Sequence, residues 1–405
     1  MSSPRQRRFA PIDFLLENSL LLPLGAAIGL AWANLDHLGY EGLLHLPILA
    51  NPWFGTEHGA DKLIDLHYLV NEILMAFFFA IAGKEVWEAF LPGGPLNKPR
   101  EAATPLIATL GGVVMPAVVF LAGAAWLGDL GSLGRGWAVP CATDIAFSYM
   151  VARVVFGGGH PAIPFLLLLA IADDAIGLVI LAIFYPQKPL APLWLLLVVA
   201  GVGFGIVLRR FRVHSFWPYI LGAGTLSWIG FAQAGIHPAL GLLPIIPTMP
   251  HAKSDLGLFD WHKLARKDTL SAFEAFWERP VELILAFFGI LNAGVVFAAA
   301  GPATGLVLSG LLIGKPLGIF CFGLFAARVL RFGMPGGLKP KELLAVGITA
   351  AIGFTVALFV ATVAFPPGNI QDAAKMGALS SLVAALFALF AGKLLGIEKR
   401  HGSPR

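Results

Sequence analysis

Residues 166–181 read LLLLAIADDAIGLVIL, and in that run Asp173 and Asp174 stand side by side with no other polar side chain. An ionised carboxylate at the centre of an apolar span costs about 2.5–3.5 kcal/mol on insertion scales, so acids at that depth are usually functional. The chain around the run has the same character. Its 405 residues are 57% hydrophobic and 13% charged, where a soluble protein carries about 25% charged residues. Mean hydropathy is +0.79. The 47 Gly and 29 Pro suit packed transmembrane helices, in which both are common.

The hydropathy pattern predicts an all-α integral membrane protein of about twelve transmembrane helices, since runs of roughly 18 or more apolar residues are long enough to span. The spans are placed at 14–34, 66–91, 102–127, 136–156, 161–185, 190–208, 215–233, 236–250, 280–300, 302–325, 341–365 and 371–396, in a single transmembrane domain over 1–405. Residues 35–65 read as an extracellular loop or hairpin, and 251–279 as a cytoplasmic loop carrying an interfacial helix. The start, RQRR at 5–8 before an apolar run ending AWA at 31–33, imitates a signal peptide. Its apolar run is long for such a signal, and cleavage would leave the C-terminal charges outside, so it is read as the first span.

Basic residues test this topology. With the N-terminus inside, 23 of the 28 Lys and Arg fall on the cytoplasmic side. They are Arg5, Arg7, Arg8, Lys84, Lys98, Arg100, Arg153, Arg209, Arg210, Arg212, Lys253, Lys263, Arg266, Lys267, Arg279, Arg328, Arg331, Lys339, Lys341, Lys393, Lys399, Arg400 and Arg405. Lys62, Arg135, Lys188 and Lys375 fall outside, and Lys315 lies within a span. This is the positive-inside asymmetry, and it predicts that both termini are cytoplasmic. The net charge of +4 is then a topology signal; no basic patch interleaved with aromatics points to nucleic acid. Cys141 and Cys321 both fall in spans and cannot staple a secreted fold.

A weak internal repeat adds symmetry. AVPCATDIAFS (138–148) aligns with AVGITAAIGFT (345–355) at an offset of 207, which places Ser148 on Thr355 and Asp173 and Asp174 on Ser380 and Ser381. The spans containing these stretches run in opposite directions, so spans 3–5 and 10–12 are predicted as inverted-topology repeats, which place a binding site near the midplane at discontinuous helices. Pro140 in span 4 and Gly347 and Gly353 in span 11 are the predicted breaks, because Pro removes a backbone donor and Gly relaxes the helix.

The intramembrane charges are Asp144, Asp173, Asp174, Lys315, Glu72 and Glu282. One Lys cannot neutralise three Asp, so the remaining carboxylates need protons, a cation or water. Adjacent helical residues point about 100° apart. One member of the Asp173–Asp174 pair is therefore placed to meet Asp144, and the other Lys315. Hard cations such as sodium suit carboxylate, hydroxyl and carbonyl oxygens. Thr143 and the carbonyls freed at Pro140 are candidate donors of that kind.

ATDIAF (142–147), AIADDAIG (170–177), GIHPAL (235–240), NAG (292–294), LLIGKPLG (311–318) and AIGFT (351–355), in that order over nearly the whole chain, resemble the NhaA family of bacterial sodium/proton antiporters. The resemblance implies an NhaA-like fold with two discontinuous helices. It also implies electrogenic exchange of cytoplasmic sodium or lithium for external protons by alternating access. Asp144 and Asp174 would bind the ion and proton, Asp173 would pair with Lys315, and Thr143 would neighbour the site. His237 and Glu85 would take part in pH response. A multi-pass protein of the bacterial inner membrane follows, a homodimer in lipid, with no cofactor beyond the transported ions.

The chain departs from the family pattern at GKEVWEAF (83–90), where Trp87, Glu88 and Ala89 replace an acidic and basic cluster. Glu274 and Glu278 align only loosely with the family's cluster before span 9. That departure motivates a second reading, a non-transporting or regulatory relative. A third, an intramembrane aspartyl protease using two Asp for acid–base work, lacks the usual GxGD: residues 126–129 read WLGD. For His237 a helix-start His satisfied by backbone, and for Glu72 and Glu282 a helix-packing role, are the plainer readings.

Overall fold

The structure is a computed structural model that describes residues 20–58, 61–97, 99–251 and 268–400. Arg5, Arg7, Arg8, Lys98, Lys253, Lys263, Arg266, Lys267 and Arg405, the signal-like start, and most of the segment expected to hold an interfacial helix lie outside the described residues. Every predicted span contains helix. Among the described residues, six helices are long and apolar enough to cross a membrane, or up to eight if each bent pair is one span.

The first described helix, α1 (Leu21–Leu35), is followed by a short helix (His37–Leu44). After it the segment expected as a hairpin forms a three-stranded antiparallel sheet, β1 (Pro47–Asn51), β2 (Thr56–His58) and β3 (Asp61–Asp65), in the order β1-β3-β2. β3, at the centre, is hydrogen-bonded along both edges, where each strand of an isolated hairpin is bonded along one. Next come α2 (Met75–Phe90) and α3 (Pro99–Trp126). A 3₁₀ segment (Gly134–Cys141) leads into α4 (Ile145–Phe156), and α5 (Ala162–Phe184) carries the opening acidic run.

Two boundaries differ from the sequence reading. The span placed at 236–250 is only short 3₁₀ turns, Pro238–Leu240 and Leu243–Thr248. The span placed at 280–300 is α6 (Thr269–Asn292). Asp268 caps α6 by accepting from the Ser271 N–H at 2.7 Å, so the helix starts in what reads as a polar loop.

Both discontinuous helices are present. The 3₁₀ segment and α4 bend by 53° across 142–144, and α8 (Pro340–Ala350) and α9 (Phe354–Ala364) bend by 51° across 351–353; α7 (Lys315–Leu324) precedes them. Gly353 caps the second break, but Gly347 does not break its helix; it lies inside α8, where a Cβ would press on the Pro316 backbone. Its small size serves close packing. Pro140 sits inside the 3₁₀ segment just before the first break.

The two breaks meet. The Asp144 N–H donates to the Ile352 carbonyl at 2.7 Å, the Thr143 hydroxyl to the Ala350 carbonyl at 3.2 Å, and the Ser148 hydroxyl to the Thr349 carbonyl at 3.2 Å. Backbone groups freed at membrane depth must be satisfied by protein or water, and each break here satisfies part of the other.

Helix contacts elsewhere are tight. α7 packs against α3 where Gly318 meets Gly111, and a Cβ on either would overlap the other's carbonyl oxygen. Small residues permit such approach between membrane helices. Gly318→Val is expected to destabilise the protein by about 1–3 kcal/mol through overpacking. A melting temperature in detergent equal to that of the parent protein would contradict this contact.

Candidate functional site

The acidic run is helical throughout, so Asp173 and Asp174 point different ways from α5. Asp173 is 3% exposed, and its Oδ2 accepts from Lys315 Nζ at 2.8 Å. The Lys315 ammonium, fully buried, also donates to the Cys141 carbonyl. That carbonyl ends the 3₁₀ half-helix, where the backbone dipole favours a cation. The last carbonyl of the 3₁₀ segment is thus occupied by Lys315 rather than left for a transported ion. A π-helical turn, Gly310–Gly314, immediately precedes Lys315, a feature frequent at functional sites.

Asp144 occupies the opposite electrostatic position. It caps α4 by accepting from the Phe147 N–H at 3.1 Å, and its Oδ2 accepts from the Thr355 N–H at 3.2 Å and from the Thr355 hydroxyl. A single carboxylate therefore lies against the N-termini of both α4 and α9, where unpaired N–H groups favour negative charge. Three donors hold it. Asp174 is different: its Oδ1 is buried and has no hydrogen-bond partner. It lines a cavity of about 250 Å³ that also reaches Glu85, Thr143, Asp144, Glu282 and Thr355. The structure thus brings Asp144, Asp174 and Thr143 to one cavity and pairs Asp173 with Lys315. No group of three or more His, Cys, Asp or Glu is arranged to hold a metal ion among the described residues.

With this geometry in hand, comparison with known proteins is decisive. The family model described as Na+/H+ antiporter 1 matches residues 16–394. The chain belongs to the Na+/H+ antiporter 1 family. It is similar to the Na(+)/H(+) antiporter NhaA of Jannaschia sp. (strain CCS1), 51% identical over 96% of this chain and 99% of the relative. It is also similar to the NhaA of Desulfitobacterium hafniense (strain DSM 10664 / DCB-2), 49% identical over 96% and 97%. Among solved structures it resembles the sodium proton antiporter MjNhaP1 of Methanocaldococcus jannaschii at a TM-score of 0.55, with 16% identity over 96% of this chain and 95% of that one, a likeness of fold. The chain is a transporter of the antiporter family and not an enzyme, which excludes the protease reading.

The periphery of this antiporter holds what the sequence reading missed. Lys84 reads in the sequence as a topology charge; its Nζ contacts Glu274 at 2.6 Å and Glu88 at 2.8 Å, tying α2 to α6. The legible signal is the i,i+4 spacing of Lys84 and Glu88. Thr355 reads as the repeat partner of Ser148 and the end of the AIGFT string. Its role as donor to Asp144 depends on the crossing, which no local pattern reveals. Asn71 and Asn292 exchange side-chain amide hydrogen bonds at 3.0 and 2.8 Å deep between helices; Asn292 opens the NAG string, whereas Asn71 has no sequence signal beyond its polarity.

His237 lines a second cavity, about 480 Å³, with His67, Glu72, Gln371, Asp372 and Lys375. Its Nδ1 accepts from the Ala239 N–H at 3.3 Å and lies 3.3 Å from Glu72 Oε2. The ring nitrogen is committed to the backbone, and that Glu72 oxygen is left without a hydrogen bond.

Removing one member of a buried ion pair strands the other, at a cost of about 3–5 kcal/mol. Lys315→Met is expected to lower the melting temperature accordingly, and Lys315→Met with Asp173→Asn to recover part of the loss. A single variant as stable as the parent would remove the pairing as a structural element.

Proposed function

We propose that Asp174 is the exchanging carboxylate of this sodium/proton antiporter, holding either a sodium (or lithium) ion or a proton, with Asp144 and Thr143 forming the rest of the cation's surroundings. The observation that carries this is the buried, unpartnered Asp174 Oδ1 at a cavity shared with them. A buried carboxylate oxygen with no partner is costly to leave bare, so the group takes up a proton or a cation. Occupancy by one excludes the other, which makes exchange obligatory once access alternates between the two sides. Asp173 is satisfied by Lys315 and Asp144 by its three donors, so neither depends on the transported ion for compensation. The cation is the substrate, and the cycle needs no cofactor.

The basic-residue asymmetry supports a multi-pass protein of the bacterial inner membrane with both termini cytoplasmic. In that orientation cytoplasmic sodium leaves in exchange for external protons, electrogenically. The protein is proposed to work in lipid as a homodimer, with no nucleic-acid partner.

Reconstituted vesicles carrying a pH gradient test the reading. Sodium or lithium added to the trans side is expected to collapse the gradient, and Asp174→Asn to reduce the rate to that of empty vesicles. Cation binding seen by calorimetry without any flux would favour the non-transporting reading. Full activity in Asp174→Asn would reject the assignment.

A further inference from the structure

Away from the ion site, buried polar groups gather where the end of α4, the start of α5 and the start of α8 come together, and the C-terminal segment covers them. His160, 2% exposed, lies in the short connection between α4 and α5. Its Nδ1 accepts from the Ala162 N–H at 3.1 Å, which places the proton of the neutral ring on Nε2. Nε2 lies 3.8 Å from Glu342 Oε1. Glu342, itself buried, caps α8 by accepting from the Lys339 N–H at 2.8 Å. One His thus joins the α4–α5 connection to the first half of a discontinuous helix.

The C-terminal segment closes over this junction. The Arg400 N–H donates to the Phe156 carbonyl at 2.9 Å, and the Gly159 N–H to the Arg400 carbonyl at 3.0 Å. Lys341, on α8, donates to the carbonyls of Leu395 and Gly396 at 2.9 and 3.0 Å. The segment 395–400 is therefore fastened to α8 at one end and to the α4–α5 connection at the other. α4 and α8 are halves of the two discontinuous helices whose breaks form the ion site. A fastener across them restrains their relative movement.

We propose that residues 395–400 form a clamp across the ends of α4, α5 and α8, and that protonation of His160 releases it. The clamp rests on its own contacts and not on the exchange reading above.

The sign follows from the surroundings of the ring. Burial pushes the His160 proton affinity down, the Glu342 carboxylate opposes that shift, and the Arg400 and Lys339 charges add to it. Protonation also removes the Nδ1 lone pair that holds the Ala162 N–H. The clamped state therefore favours the neutral ring, while a solvated His160 titrates near about pH 6.5. Clamp stability is complete above that value and declines as pH falls below it. One pH unit below, the released population rises severalfold, with a ceiling of about elevenfold for a single His.

Hydrogen exchange on the full-length protein in detergent, followed by mass spectrometry and corrected for intrinsic rates, reads this directly at about pH 5.5 and about pH 8. Peptides covering 157–160 and 395–400 are expected to lose protection severalfold at the lower pH. His160→Gln, which cannot gain the charge, is expected to show no acid loss, and Glu342→Gln, which removes the opposing carboxylate, a larger one. Equal protection of the parent protein at both values would overturn the proposal. So would an unchanged acid loss in His160→Gln. If His160→Gln fails to fold, Glu342→Gln decides: an acid loss no larger than that of the parent protein would overturn the proposal too. Because no ion flux is measured, failure here leaves the exchange reading standing, and failure of exchange leaves the clamp standing.

Discussion

Lys315 donates to the Asp173 carboxylate and to the carbonyl that ends a half-helix, at a position with no solvent exposure. An uncompensated ammonium at that depth would be expelled or deprotonated. Its presence therefore requires an acid on α5 and a broken helix alongside, and both are supplied. The remaining polar groups follow from that arrangement. Once the helix is broken to offer a carbonyl to Lys315, its second half begins in the membrane with exposed N–H groups. Asp144 is the anion that answers them.

The site is thus a balance between two kinds of charge. Formal charges on Lys315, Asp173 and Asp144 meet partial charges at the ends of the 3₁₀ segment, α4 and α9. Asp174 is the group left over when that balance is closed, one residue beyond Asp173 and turned toward the cavity. A structural ion pair and an exchangeable carboxylate can therefore be neighbours in sequence without sharing a role. The helix sends their side chains to different surroundings.

The sequence was most informative where the membrane imposes strong penalties. Runs of apolar residues marked the spans, and the acids in them marked the site. It was least informative where polar groups are cheap. Asp268 looks like part of a loop yet starts α6, and residues 35–65 offered no clean alternation from which to read three strands. Gly347 illustrates a different difficulty. A glycine in a span permits either a break or a close contact, and only the position of Pro316 against α8 shows that it serves contact.

The membrane setting, the family motifs and the identity of the buried charged residues are legible in the chain alone, because each is a local consequence of hydropathy or of a short ordered string. The family strings imply the Asp173–Lys315 pair, but the fold alone sets Thr355 against Asp144, Lys84 against Glu274, and Asp174 with no hydrogen-bond partner on Oδ1. Those partners come from helices far apart in the chain. Where they meet is set by the crossing of two broken helices and by the close approach that glycines such as Gly111 and Gly318 permit, a property of packing that no local pattern contains.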